Sequence, residues 1–213
     1  LHGLDFHVGP GEIVAVMGRN GMGKTTLMKS LMGVIPTRSG HVRLAGQEIT
    51  GMKSHKRVAA GAAYVPQGRQ IFSTMTVQEN IETGLTVTGE REVPSALYEM
   101  FPVLLEMRNR RGGNLSGGQQ QQLAIARALA ANPKVLFLDE PTEGIQPSII
   151  REMGRTLRKI RDDRGLSIVV SEQVLSFALD VADRVIVIEN GSFAFEAPRE
   201  GLDEERVTKF LSV

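Results

Sequence analysis

The sequence predicts an α/β fold with a mostly parallel sheet core, a small antiparallel β lobe and an inserted helical lobe. Three observations carry that prediction. The apolar run Glu12 to Met17 (E-I-V-A-V-M) leads without a break into Gly18 to Thr25 (G-R-N-G-M-G-K-T) and a helix-forming stretch. A second apolar run, Lys134 to Leu138, ends in Asp139-Glu140, at the kind of strand end where open parallel sheets bind ligands. Between the two, residues 76 to 131 turn to helical periodicity.

Gly18 to Thr25 fits G-x-x-x-x-G-K-[ST] at every fixed position, in the strand, loop and helix order that a phosphate-binding loop requires. The arrangement resembles that of a P-loop NTPase, which implies a RecA-like core. Gly18, Gly21 and Gly23 let the backbone wrap closely around an anion, so that amides of the stretch Gly18, Arg19, Asn20, Gly21, Met22, Gly23, Lys24, Thr25 and Thr26 can point at phosphate oxygens. The helix starting near Lys24 adds its positive end. Lys24 then reaches the β and γ phosphates, and the Thr25 hydroxyl ligates the Mg2+ that bridges them. Asp139 can hold the same metal through water, and Glu140 can polarise the water that attacks the γ phosphate. The plainer alternatives are a glycine-rich turn without a ligand and a pair of acids that merely cap the next helix.

Composition bounds the remaining options. A chain of 213 residues is long enough to bury a core without staples, as a single domain. It has no cysteine, which excludes disulfides and thiolate metal sites. Lys and Arg number 25 against 24 acidic residues, and neither sign forms a long block, so no nucleic-acid partner is expected. No apolar run approaches the ~20 residues that span a bilayer. The chain opens at Leu1 inside a strand-like stretch, without methionine or signal peptide, and the expectation is that a segment preceding it has been trimmed.

Taken in order, residues 1 to about 50 form the antiparallel lobe and the phosphate loop. Leu4 to Val8 alternates and is expected to form a hairpin strand through Gly9-Pro10-Gly11. His2 and His7 are solvated, and Phe6 belongs to the core. The helix Lys24 to Met32 ends at Gly33, and His41 to Leu44 is a strand closed by a turn at Ala45 to Gln47. Lys53 to Ala60 reads as a surface helix whose Lys53, Lys56 and Arg57 are solvated. The strand Ala62 to Pro66 delivers Gln67 into a loop. A helical lobe over about 74 to 132 holds helices Val77 to Leu85, Ala96 to Met107 and about Gln119 to Ala131. The last begins at Leu115-Ser116-Gly117-Gly118-Gln119, a second anion-binding helix start that suggests the ligand of a neighbouring copy. The core resumes over about 133 to 195 with Lys134 to Leu138, helix Ile149 to Asp162, strand Ser167 to Val170, helix Val174 to Ala182 and a hairpin through Asn190-Gly191. Residues 196 to 213 are a tail with a charged helix from Asp203 to Leu211.

The phosphate loop, Gln67, L-S-G-G-Q at Leu115 to Gln119 and V-L-F-L-D-E at Val135 to Glu140 resemble ABC-type ATP-binding subunits in order and approximate spacing. The resemblance spans essentially the whole chain. Within that family, Tyr64 to Phe72 and Asp139 to Ile150 (D-E-P-T-E-G-I-Q-P-S-I-I) look like the urea importer's ATPase subunit, with the branched-chain amino-acid importer subunit beside it.

The resemblance implies an ATPase at the cytoplasmic face of the inner membrane, paired head to tail with an identical or different second ATP-binding subunit. ATP is then held between Lys24's loop on one subunit and Ser116, Gly117, Gly118 and Gln119 of the other. Gln67 senses the γ phosphate or its Mg2+, and its loop faces an integral membrane permease fed by an extracytoplasmic substrate-binding protein. Two positions depart from most of the family: Gln173 stands where a histidine usually bonds the γ phosphate, and Gln146 where many members have aspartate. Glutamine can donate to phosphate but cannot carry charge, which favours the rival reading of a weakly hydrolysing regulatory half. The resemblance also places the adenine-stacking aromatic upstream of Leu1. A DNA-repair ATPase, the other rival, lacks support because no coiled coil, zinc module or basic surface is present.

Overall fold

The computed structural model describes residues 1–212. Its first strand, β1 (Ile13–Met17), is buried along its whole length and leads through the phosphate loop into α1 (Lys24–Leu31). β2 (Arg43–Leu44) and β3 (Gln47–Glu48) make a two-stranded antiparallel ribbon. Then come α2 (Ser54–Ala60) and β4 (Ala62–Val65). The helical segment holds α3 (Val77–Glu82), a 3₁₀ turn at Thr83–Val87, α4 (Ser95–Met100), α5 (Pro102–Glu106) and α6 (Gly117–Ala130). The chain closes with β5 (Val135–Asp139), α7 (Pro147–Arg164), β6 (Ser167–Glu172), α8 (Leu175–Val181), β7 (Arg184–Glu189), β8 (Ser192–Pro198) and α9 (Glu204–Leu211).

The main sheet runs β4-β5-β6-β1-β7-β8. All its pairings are parallel except β7 with β8, which are joined at Asn190-Gly191. Both turn residues have positive φ, 48° and 77°, as a tight hairpin turn demands. The strands alternate between two cores. Ile13, Ala15, Leu136, Leu138, Ile168 and Val170 face one that includes Leu123, Leu157 and Phe177. Val16, Phe137, Val169 and Ile188 face the other, beside Leu27 and Met28 of α1.

Four expectations are corrected. Leu4 to Val8 forms no strand; its alternation is real, since Leu4, Phe6 and Val8 pack on the second core and Phe6 meets Phe193 edge to face at 5.5 Å, but β1 is already paired on both sides, by β6 and β7. Arg57 is not solvated. It is 1% exposed and donates to the carbonyls of Ser30 and Leu31 at the end of α1 and of Thr50 and Met52, satisfying helix-end acceptors that would otherwise lack donors. Ala96 to Met107 is two helices, because Phe101 precedes Pro102 and leaves the helical region at φ −131°, ψ 70°. β6 runs past Val170 to Glu172.

Strand register aligns the polar ends of the core strands. Asp139 pairs with Ser171 and Met17 with Glu172. The phosphate loop, Asp139-Glu140 and Ser171-Glu172-Gln173 therefore leave the sheet at one edge.

Candidate active site

A cavity of about 160 Å³ opens at that edge, lined by Asn20, Gly21, Gly23, Lys24, Thr25, Thr26, Gln67 and Glu140. A larger surface hollow of about 380 Å³, beside Gly51, Lys53 and Lys56, contains none of the motif residues. Gly23 adopts φ 110° and starts α1 without a side-chain cap, which leaves the first helical amides for an anion. A Cβ on Gly18 would stand 2.6 Å from the Ile188 carbonyl oxygen, so only glycine fits between loop and β7.

Lys24 is 3% exposed. Its Nζ donates to the Gly18 carbonyl at 2.5 Å and the Arg19 carbonyl at 3.0 Å, and pairs with Glu140 Oε1 at 3.0 Å. Each buried charge thus answers the other. Glu140 Oε2 accepts from Gln67 Nε2 at 3.3 Å and Gln173 Nε2 at 3.2 Å, and Gln173 also donates to Asn20 Oδ1 at 2.9 Å. The Glu140 backbone lies at φ 47°, a left-handed conformation that costs about 1–3 kcal/mol for a residue with a side chain. Its amide is held by the Ser171 carbonyl at 3.0 Å and the Ser171 hydroxyl at 3.2 Å. The structure thus gathers Lys24, Gln67 and Gln173 around the Glu140 carboxylate.

Asp139 is 1% exposed and is not among the cavity walls. Ser171 Oγ donates to its Oδ1 at 2.5 Å and the Tyr64 hydroxyl to its Oδ2 at 3.0 Å. Burial and the neighbouring Asp139 charge push the Tyr64 hydroxyl pKa well above its usual value, so it stays a donor. Each carboxylate oxygen keeps a second lone pair for a further bond. Among the described residues no group of three or more His, Asp or Glu could hold a metal by itself.

The Gln67 loop is fastened on several sides. Gln67 Nε2 also reaches Glu143 Oε2 at 3.1 Å, and Arg69 donates to the Glu143 carbonyl at 2.9 Å. Arg127 of α6 donates to the carbonyls of Arg69 and Gln70 while its guanidinium stacks on Phe72 at 5.2 Å. The fully buried Asn80 binds both the amide and the carbonyl of Phe72.

Ser116, Gly117, Gly118 and Gln119 lie away from the cavity of their own chain. Ser116 and Gln119 form a reciprocal cap at the start of α6, at 2.9 and 3.3 Å. Arg19 and Met22 serve the loop through backbone, since the Arg19 side chain reaches the Ser212 carbonyl and Met22 Sδ accepts from the Asn190 amide.

Sequence reasoning gave no role to Tyr64, Ser171 or Glu172. The signal was available for the last two, a polar pair ending an apolar strand in register with Asp139.

A phosphate loop, an ion-paired lysine and a strained carboxylate held by two amides define a nucleoside-triphosphate hydrolase. The ABC transporter family profile matches residues 1–143. The chain is 40% identical over 194 residues to the high-affinity branched-chain amino acid transport ATP-binding protein BraG of Pseudomonas aeruginosa, covering 90% of this chain and 83% of that one. It is 37% identical over 213 residues to the probable branched-chain amino acid transport ATP-binding protein LivF of Archaeoglobus fulgidus, covering 98% and 90%. The solved ATP-binding cassette MJ1267 of an ABC transporter superposes with a TM-score of 0.82 at 26% identity, covering 98% of this chain and 87% of that one. The chain therefore belongs to the ABC transporter family, as an ATP-binding and ATP-hydrolysing subunit.

Proposed function

We propose that this subunit powers an importer for a branched-chain amino acid. It hydrolyses Mg2+-ATP at a site completed by a second cassette. The cluster of Lys24, Gln67 and Gln173 around Glu140 carries the catalytic part of this reading, and the likeness to BraG and LivF supports the transported class.

Arriving β and γ phosphates compete with Glu140 for Lys24, and they also meet the uncapped amides of α1. Released from Lys24, Glu140 keeps the two amide bonds to Oε2 and turns Oε1 to the attacking water, which it polarises. Gln173 bridges Asn20 of the phosphate loop to Glu140, so it senses both nucleotide and base. Thr25 and Asp139 offer hard oxygen donors suited to Mg2+, with the remaining ligands supplied by phosphates and water. When bound, the metal neutralises charge on the phosphates.

Ser116, Gly117, Gly118 and Gln119 serve the ATP of the partner cassette, identical or not. The pair sits on the cytoplasmic face of a permease that receives substrate from an extracytoplasmic binding protein. Among the described residues no helix is long and apolar enough to cross a membrane.

Phosphate release from Mg2+-ATP tests the base. Glu140→Gln is expected to lower turnover about 100- to 10,000-fold without weakening ATP binding, because Lys24 loses a charged competitor. Retained turnover would remove Glu140 from the role. Urea is the second reading, favoured by the stretch Asp139 to Ile150. Uptake of labelled leucine and urea in a deletion strain separates them: loss of leucine uptake alone excludes urea, and the reverse excludes leucine. Gln173 favours a weakly hydrolysing half of a heterodimer, which the same phosphate assay, run with and without a partner cassette, decides.

A further inference from the structure

Glu172 is a buried carboxylate that the proposed reaction does not use. It is 2% exposed at the carboxyl end of β6. Unlike Lys24 and Glu140, it has no ion-pair partner within salt-bridge distance among the described residues. Its acceptors are taken by backbone amides. Oε1 accepts from Thr142 N at 3.0 Å, and Oε2 from Gln173 N at 3.0 Å and Val174 N at 3.3 Å. Its own carbonyl accepts from Gly18 N, the first amide of the phosphate loop, at 3.2 Å.

The side chain therefore joins two segments, the turn after Glu140 at Thr142 and the segment that carries Gln173, while the backbone bond to Gly18 is one that any residue here would make. A buried negative charge beside a polyphosphate site opposes anion binding, and an apolar residue would fill the same volume without that cost. Burial pushes the Glu172 carboxyl up, against the bonds from Thr142, Gln173 and Val174 that hold it down. An ionised carboxylate is nevertheless the group that can accept several amides from two loops at once.

We propose that Glu172 is a positioning residue for ATP hydrolysis. Its carboxylate holds the segment that carries Gln173 against the turn after Glu140, so that the Gln173 amide meets Glu140 Oε2. This role depends on Glu140 acting as the base and Gln173 as its partner. Glu172→Gln keeps the volume but places an NH2 group against one of the amides, releasing one loop from the other.

The test measures ATP turnover and ATP binding of the subunit in its transporter complex, with melting of the purified subunit alongside. Glu172→Gln is expected to lower kcat about 10- to 100-fold, with ATP affinity within about twofold of wild type and a stability loss on melting no greater than one unpaired buried amide causes. Glu172→Gln/Gln173→Ala should be no slower than the slower single variant, because both act on the same carboxylate oxygen. An unchanged kcat overturns the proposal. So does a fall matched by weaker ATP binding and a larger loss of stability, and so do losses that multiply in the double variant.

Glu140→Gln and Gln173→Ala alone report on the roles of base and partner. Wild-type turnover in either sinks those roles and this proposal with them, whereas slow turnover in both beside an unchanged Glu172→Gln sinks this proposal alone. Should Glu172→Gln fail to fold, Glu172→Asp, which keeps the charge but cannot reach both loops, carries the same measurements.

Discussion

Both oxygens of Asp139 are held by hydroxyls, from Tyr64 on β4 and Ser171 on β6, so the plane of the carboxylate is fixed before a ligand arrives. Hydroxyls behind a metal-binding carboxylate typically govern affinity by about 10- to 100-fold. Tyr64→Phe is expected to raise the Mg2+ concentration for half-maximal turnover about 10-fold with little change in melting; an unchanged Mg2+ requirement would place Tyr64 outside the site. At this scale the sequence was informative wherever chemistry fixes spacing. Lys24 and Thr25 could be placed at the cavity because phosphate binding dictates a contiguous motif, and Glu140 because it follows an apolar strand. Tyr64 and the buried Arg57 could not, since Tyr64 meets Asp139 on another strand and Arg57 meets Ser30 and Leu31 on another helix, and no local period records that.

The elements follow their apolar periodicity where burial is one-sided or complete, as in β1, β5, α6 and α7. They depart from it where tertiary pairing overrides local pattern: Leu4 to Val8 has a strand's alternation but finds no free sheet edge beside β1. The contact between the 3₁₀ turn Thr83–Val87 and α6 shows how closely elements approach. A Cβ on Gly84 would fall inside van der Waals contact of the Arg127 carbonyl oxygen and the Ala130 methyl. Gly84→Ala is therefore expected to destabilise the chain by about 1–3 kcal/mol, read as a lower denaturant midpoint. A midpoint equal to wild type would mean the turn can shift away from α6 freely.

Across the molecule, Arg184 ties the start of the sheet to its antiparallel edge by meeting Glu12 at 2.7 Å, together with Glu196 and the His7 carbonyl. Burial raises the Glu12 pKa, but the bonds from Arg184 and the Gly9 amide outweigh it and leave the carboxyl below its usual 4.5. A carboxyl depressed in the folded state stabilises above the unfolded value, and that contribution is lost as pH falls through the folded one. Melting of wild type should accordingly drop more steeply below about pH 4.5 than that of Arg184→Met, whose Glu12 lacks its cation. Parallel curves for the two proteins would show that this pair does not set acid stability.

Helix α6 meets the Gln67 loop twice, first at Gly117, where a Cβ would stand 3.4 Å from the Arg69 guanidinium. Its first turn is the L-S-G-G-Q segment, and Arg127, about 15 Å along its axis, grips the carbonyls of the Gln67 loop. In a head-to-tail pair the helix is a lever with one arm on the neighbour's nucleotide and the other beside its own. A push at the first turn reaches the Gln67 loop both through Arg69 beside Gly117 and through Arg127, so the two ATP molecules of such a pair would keep each other's time.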